Sequence, residues 1–229
     1  MSVSAKTGSG PHMRRLVSGL THKLRNPLNA ARLHAELLGR RTRHTAPELH
    51  ASVSAIAREL DRIADVVDDF NELSSTALTH PRLIDATAVA HRVVDELAVV
   101  IGDRAIELVT SSSDDAVLVH ADPRQLERVI EHLVLNAIDA VEREGRIEID
   151  VSYVDAGVRV AVCDTGPGID AAECVFEPFY STKEGGTGLG LAVCKRIVEQ
   201  HGGVIRLCDC GVEVVLPRAN GETPCGPGE

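Results

Sequence analysis

Between residues 13 and 38 the apolar positions return at helical spacing. Leu16, Val17, Leu20, Leu24, Leu28, Ala31, Ala35 and Leu38 fall on one face of a wheel turning about 100° per residue. Gly39 marks the expected end of that helix, and Arg40 to His44 read as a basic turn. Thr45-Ala46-Pro47-Glu48 then has the form of an N-cap, an early proline and a capping-box glutamate. A second helix is predicted from 47 to 74, where Leu49, Val53, Ile56, Leu60, Ile63, Val67, Phe70 and Leu73 alternate steps of four and three, a heptad seam. Two helices joined by a short turn make an antiparallel hairpin. Alone it would leave apolar faces in water, so residues 13–74 are expected to form a homodimer as a four-helix bundle.

The pattern then changes. Residues 75–81 read as a polar linker. Helical periodicity returns at 86–100, 123–143 and 187–201, and strand alternation covers 105–110, 116–120, 146–153, 158–163, 203–208 and 211–216. Strands mixed with helices predict a two-layer α/β sandwich over 82–217. The fold class expected is therefore α, then α+β. Residues 1–12 and the Pro/Gly-rich 218–229 are expected to be flexible ends.

Composition narrows this. Hydrophobic residues make up 44% of the chain but aromatics only 2%, so the core must be aliphatic. No apolar run approaches the roughly 20 residues that span a bilayer, and the N-terminus lacks a signal-peptide stretch. The chain reads as soluble and cytoplasmic, taking its input from inside the cell or from a separate sensor protein. Net charge is −10, yet residues 1–46 hold nine Lys/Arg against Glu36 alone, leaving −18 on the rest. An acidic chain is a poor non-specific nucleic-acid binder, so no direct nucleic-acid partner is expected. The basic first helix has an acidic neighbour instead, since residues 47–74 carry seven acids against Arg58 and Arg62. The six cysteines show no Cys-x-x-Cys and no zinc spacing. They are expected to be reduced thiols used as small apolar filler, with Cys208-Asp209-Cys210 the pair to watch for oxidation.

Five stretches carry chemistry. Asn136 lies on the 123–143 helix, and an amide oxygen is a hard ligand suited to Mg²⁺. Asp164 ends an alternating strand and can accept from the exocyclic amine of a base such as adenine, while Gly166 and Gly168 let backbone pass close to the ring. Gly186-Thr187-Gly188-Leu189-Gly190 runs into a helix N-terminus, which is an anion site. It is neither a Walker loop nor a framed dinucleotide fingerprint. Between the glycine segments, Phe176-Glu177-Pro178-Phe179-Tyr180-Ser181-Thr182-Lys183 holds three of the chain's five aromatics. It reads as a mobile lid pinned by Phe176 and Phe179, with Lys183 in reach of phosphate. The fifth stretch is Thr21-His22-Lys23-Leu24-Arg25-Asn26-Pro27-Leu28, where His22 points away from the apolar stripe and Pro27 is expected to kink the helix just after it.

Taken in order, these stretches resemble the transmitter region of bacterial sensor histidine kinases, over about residues 12–217. The lid is most similar to the nitrogen-regulatory branch. The resemblance implies that His22 is the phosphoacceptor, Asn136 the Mg²⁺ ligand, Asp164 the adenine anchor, and Gly166 and Gly168 the glycines beside the base. It implies that His132, Lys183, Gly186, Thr187, Gly188, Leu189 and Gly190 serve the phosphates and lid. ATP with Mg²⁺ would phosphorylate His22, and the phosphoryl group would pass to an Asp on a response regulator receiver domain. Two positions depart from the family pattern. Lys23 stands where an acid usually orients the histidine, and His132 where an asparagine commonly contacts phosphate. Asn26 matches the position that orients water for dephosphorylating the partner. A second reading is thus an ATP-binding phosphatase-biased or docking module whose autokinase activity is impaired by Lys23. A topoisomerase or mismatch-repair ATPase would need a further transducer domain, for which too little chain follows the last strand.

Overall fold

The computed structural model describes residues 28–42, 47–74, 80–102, 104–141, 144–169, 173–183 and 186–218. The chain divides into two compact units, Met1–Ala77 and Leu78–Glu229.

The first unit holds two helices, α1 (described over 28–42) and α2 (Pro47–Ser74). Gly39 does not end α1, as the sequence suggested; the helix runs through it to Thr42. A Cβ at Gly39 would sit 3.6 Å from Val53 Cγ1 and 3.9 Å from His50 Nδ1, ordinary contact distances, so this turn of α1 packs on α2 without requiring a glycine. The His50 ring bonds the Gly39 carbonyl at 3.1 Å. Arg32 pairs with Glu36 on its own helix and with Asp61 on α2, basic helix to acidic helix. Val53 is buried, but Leu49, Ile56, Ile63 and Phe70 of the heptad seam remain exposed in the single chain, as do Leu33, Leu37 and Leu38.

The second unit is a mixed sheet under a layer of helices. β2 (Ala105–Ser112), β4 (Glu144–Val154), β5 (Gly157–Asp164), β7 (Gly211–Leu216) and β6 (Val204–Cys208) lie in that order, β2 parallel to β4 and the rest antiparallel. A two-stranded ribbon pairs β1 (Arg82–Asp85) with β3 (Leu118–Ala121). β1 was missed from sequence, because four residues are too few to show a period. Three helices, α3 (Ala86–Ile101), α4 (Pro123–Val141) and α5 (Gly190–Gln200), cover one face. Alternation along the strands explains this. Ile147, Ile149, Val151, Val158, Val160, Val162, Val212 and Val214 are buried and share one face. They meet Leu126, Val129, Ile130, Leu133, Val134, Ala137 and Ile138 from α4. No aromatic is needed, and the core is aliphatic as composition required.

The other face of the sheet is a ladder of charges. Arg146 pairs with Glu107 and Glu148, and Arg159 with Asp150 and Glu213, at 2.6 Å each for the latter two. Arg206 also holds Glu213. Burial alone would raise the Glu213 carboxyl, but hydrogen bonds from Arg159 and Arg206 outweigh it and keep it below the usual glutamate value.

Two caps fix the helices that frame the site. Asp85 Oδ1 accepts from Thr87 N at 3.0 Å and Val117 N at 3.1 Å, capping α3. Asp122 Oδ1 accepts from Arg124 N at 3.0 Å, and its Oδ2 from His80 N at 3.0 Å, capping α4 ahead of Pro123. His201 is the C-cap of α5; its Nδ1 bonds Ile197 O at 2.8 Å, while Nε2 accepts the Asp122 amide at 3.0 Å. One neutral tautomer satisfies both, tying the C-terminus of α5 to the start of α4. Arg218, assigned from sequence to the trailing segment, bridges Val119 and lies 4.9 Å over the Tyr153 ring.

Candidate functional site

α4 is the spine of the site. Its apolar face packs on the sheet, which leaves His132 and Asn136, four residues apart, half-buried along one side. β5 delivers Asp164 at its C-terminal end. The following turn is clamped to β4, since Thr165 N donates to Arg146 O at 3.1 Å and Thr165 Oγ1 accepts from Arg146 N at 3.0 Å. Asp164 Oδ1 accepts the Gly166 amide at 2.8 Å. A Cβ on Gly166 would lie 2.7 Å from that oxygen and 3.0 Å from Ala140 O, so the loop needs glycine to lie against the last turn of α4. Gly168 has φ +80, a left-handed conformation that L side chains seldom adopt, with open space where a Cβ would be.

The second glycine segment is built differently. Gly188, at φ +64, crosses directly over the chain at Phe179 and Tyr180; a Cβ there would sit 2.5 Å from the Phe179 carbonyl carbon. Phe179 N donates to Gly188 O at 2.8 Å. Buried Leu189 roots the segment, and its amide donates to Thr187 Oγ1 at 3.3 Å. α5 begins at Gly190 with no side-chain cap on its first turn. The first amides of a helix have no partner within it, so this end presents donors and the positive end of the dipole. A Cβ at Gly190 would come 3.3 Å from His132 Nδ1, which puts the His132 ring against that helix start.

Lys183 closes the arrangement across α4. Its Nζ lies 3.2 Å from Asp139 Oδ2 and 3.4 Å from Asn136 O. Asp139 was not singled out from sequence, although it stands three residues after Asn136 on the same helix. The carbonyl of Ala140 was also missed, because backbone contacts leave no residue-type signal.

One expectation is corrected. Phe179 does not pin the lid; its side chain is 70% exposed and its φ is +69. The anchors are Val175, buried, and Phe176, half-buried, in a 3-10 turn at Glu173–Phe176 that packs against α5. His22, Lys23, Asn26 and the Pro27 kink lie outside the described residues, as do Gly185, the linker at 75–79 and the end from 219. The structure thus brings His132, Asn136, Asp164, Gly166, Lys183, Gly188 and Gly190 around one helix, and is silent on the histidine box. Among the described residues, no helix is long and apolar enough to cross a membrane.

Residues 12–77 match the family model for the His Kinase A (phospho-acceptor) domain, and 121–223 that for the histidine kinase-, DNA gyrase B- and HSP90-like ATPase. The sensor histidine kinase ZraS of Escherichia coli strain K12 is 34% identical over 194 residues, covering 84% of this chain and 42% of ZraS. The chain therefore spans less than half the length of that relative. The structure of full-length ShkA with AMPPNP superposes with a TM-score of 0.71 at 26% identity, over 90% of this chain and 47% of ShkA. The catalytic domain of histidine kinase ThkA is 30% identical, with a TM-score of 0.55, over 61% of this chain and 96% of that domain. ThkA in complex with the response regulator protein TrrA gives a TM-score of 0.63 at 25% identity, over 90% of this chain and 61% of that one.

Proposed function

The chain belongs to the histidine kinase family, carrying the transmitter region of a sensor kinase, and on that premise we propose that it is an ATP-dependent autokinase of a two-component system. His22 receives the γ-phosphoryl group and hands it to an Asp of a response regulator. One observation carries the reading: the uncapped start of α5 lies beside His132, one turn along α4 from Asn136. That is a phosphate-binding end next to a metal-compatible amide, and Asp164 closes the last turn of the same helix through the Gly166 loop.

The roles follow from the residue chemistry. Asp164 has Oδ1 engaged by Gly166, which orients the carboxylate to accept an exocyclic amine through its other oxygen. The Gly190 end of α5, His132 and Lys183 receive phosphate charge. Thr187 shapes the segment by holding the Leu189 amide, and Gly186 and Gly188 let it pass under the Tyr180–Ser181 chain. Mg²⁺ fits this donor set, because it keeps several waters and takes few protein oxygens, and Asn136 offers a hard one. When bound, it neutralises charge on the phosphates. His22 attacks with a ring nitrogen, and positioning with charge neutralisation supplies most of the acceleration.

Residues 13–74 serve as dimerisation and phosphotransfer hairpin, joined by 75–81 to an ATP-binding domain at 82–217. The exposed seam of α2 supports a homodimer, since Ile56 and Leu49 would otherwise stay in water. The FYSTK lid supports the nitrogen-regulatory branch, and need for ATP supports a cytoplasmic setting. Lys23 favours a second reading, a phosphatase-biased or docking module. A cation cannot accept the His22 proton, though Asn26 retains its place to orient water.

The test is incubation with γ-labelled ATP and Mg²⁺, beside His22→Ala. Acid-labile, alkali-stable label that is lost in the variant supports the autokinase. Absence of label with nucleotide binding intact overturns it in favour of the second reading, and a large gain in Lys23→Glu would identify Lys23 as the cause.

A further inference from the structure

Cys163 and Cys210 form a disulfide, with Cα atoms 4.8 Å apart, which overturns the expectation that the cysteines are all reduced filler. A third sulfur is close. Cys208 Sγ lies 3.9 Å from Cys210 Sγ, and one ligand atom from each of the three residues falls within 4.8 Å of the others. Spacing along the chain hides this cluster. Cys163 is the next-to-last residue of β5, Cys208 ends β6, and both pair across the ladder with Gly211 of β7, which has no side chain to separate them. Cys210 enters from the β6–β7 turn.

We propose that, once the Cys163–Cys210 bond is reduced, Cys163, Cys208 and Cys210 form a three-thiolate site for a thiophilic divalent cation of the Zn²⁺ class. Zn–S bonds of about 2.3 Å in tetrahedral geometry separate neighbouring sulfurs by about 3.8 Å. The Cys208–Cys210 separation of 3.9 Å already matches that edge. Once reduced, Cys210 stands exposed in the β6–β7 turn with its Cα 4.8 Å from that of Cys163, so rotation of its side chain sets its sulfur spacing from Cys163. Three sulfurs leave the fourth position to solvent. Arg159, bonded chiefly to Glu213, also interacts electrostatically with Cys208 and offsets part of the thiolate charge. Cys174 and Cys194, outside the disulfide, belong to no such cluster among the described residues.

The balance is simple. A dithiol reductant gives two electrons and two protons to the disulfide and itself becomes the disulfide. Binding of the cation to the three thiols then releases three protons. The disulfide is the metal-free form of the same centre, so oxidation and metal binding exclude one another.

The full chain is reduced, stripped of metal and titrated anaerobically with Co²⁺ without nucleotide. One equivalent should bind with the intense near-ultraviolet absorption of thiolate-to-cobalt charge transfer, and Zn²⁺ should displace it. The band should be absent from the oxidised protein and reduced at least several-fold in Cys208→Ser, while Cys174→Ser retains it. Zn²⁺ should also slow alkylation of Cys208 and Cys210 in the wild type, a readout needing no variant. No band in the reduced protein, or a band that survives in Cys208→Ser, overturns the site. Alkylation unaffected by Zn²⁺ does the same.

Discussion

Asp164 Oδ1 accepts the amide of Gly166 at 2.8 Å, a bond that turns the chain after β5 back over the carboxylate that ends the strand. The carboxylate is thereby oriented before any nucleotide arrives. Asp164→Ala should weaken ATP binding about 10–100-fold, the equivalent of ~1.5–3 kcal/mol for a hydrogen bond to a charged group. Titration calorimetry checks this, with thermal melting as the control for fold.

The two glycine segments should respond differently to alanine. At Gly188 a Cβ would collide with the Phe179 backbone at 2.5 Å, and nothing flexible can give way. Gly188→Ala should displace the Phe179–Lys183 segment and reduce ATP affinity at least tenfold. Gly168 opens to free space, so Gly168→Ala should cost only about 1 kcal/mol of backbone strain in stability. Parallel melts and nucleotide titrations separate the two.

Lys183 spends its charge on Asp139 at 3.2 Å, in an exposed pair of the sort worth about 0–1 kcal/mol. Removing Asp139 should therefore leave melting within about 1 kcal/mol of wild type. Lys183→Ala should raise the KM for ATP, while Asp139→Ala leaves it equal or lower by freeing the lysine. Autophosphorylation rates against ATP concentration decide this.

His201 and Asp122 predict a pH-dependent joint. Burial alone would raise the Asp122 carboxyl, but the amides of His80, Gln125 and Arg124 prevail and hold it below its ordinary value of 3.8. A depressed carboxylate stabilises the fold above its unfolded pKa. That contribution is complete above about pH 5, begins to fall near 3.8 and vanishes below the folded value. Asp122→Ala should cost about 1 kcal/mol at neutral pH, as lost helix caps do. The difference from wild type should close under acid, as read by denaturant melts at several pH values. His201→Ala should cost about 1–2 kcal/mol by orphaning the Asp122 amide.

Gly39 sits on the face of α1 that packs against α2. A Cβ there makes ordinary contact with Val53 at 3.6 Å. Gly39→Ala should therefore stabilise the hairpin by about 0.5–1 kcal/mol through helix propensity. Gly39→Phe should push the helices apart and lower the helical melting temperature. Circular dichroism of both variants tests the packing role against the terminating one.

Much of this molecule was legible in sequence because its signals are local and periodic. The seam from Leu49 to Leu73 announces α2 to the residue, and alternation at Val158-Arg159-Val160-Ala161-Val162 announces β5. The glycines at 166 and 188 mark backbone that runs where a Cβ is crowded, and Gly168 marks a left-handed turn. Asn136 and Asp164 stand out by residue type and order, and the fold sets Asn136 on α4 and the Asp164–Gly166 turn against the last turn of that helix.

What remained hidden has one physical cause, that contacts between distant segments leave no trace in spacing. Gly39 looks the same whether it ends a helix or lies inside one, and the structure carries α1 past it to Thr42. His201 reads as a helix-end histidine until Asp122 is brought to its Nε2. Phe179 looks like an anchor until a left-handed backbone turns it outward. The three cysteines are 45 and two residues apart in the chain. Only the pairing of β5, β7 and β6 around a glycine made them neighbours. Periodicity and residue type are properties of a chain, and sulfur within reach of sulfur is a property of its fold.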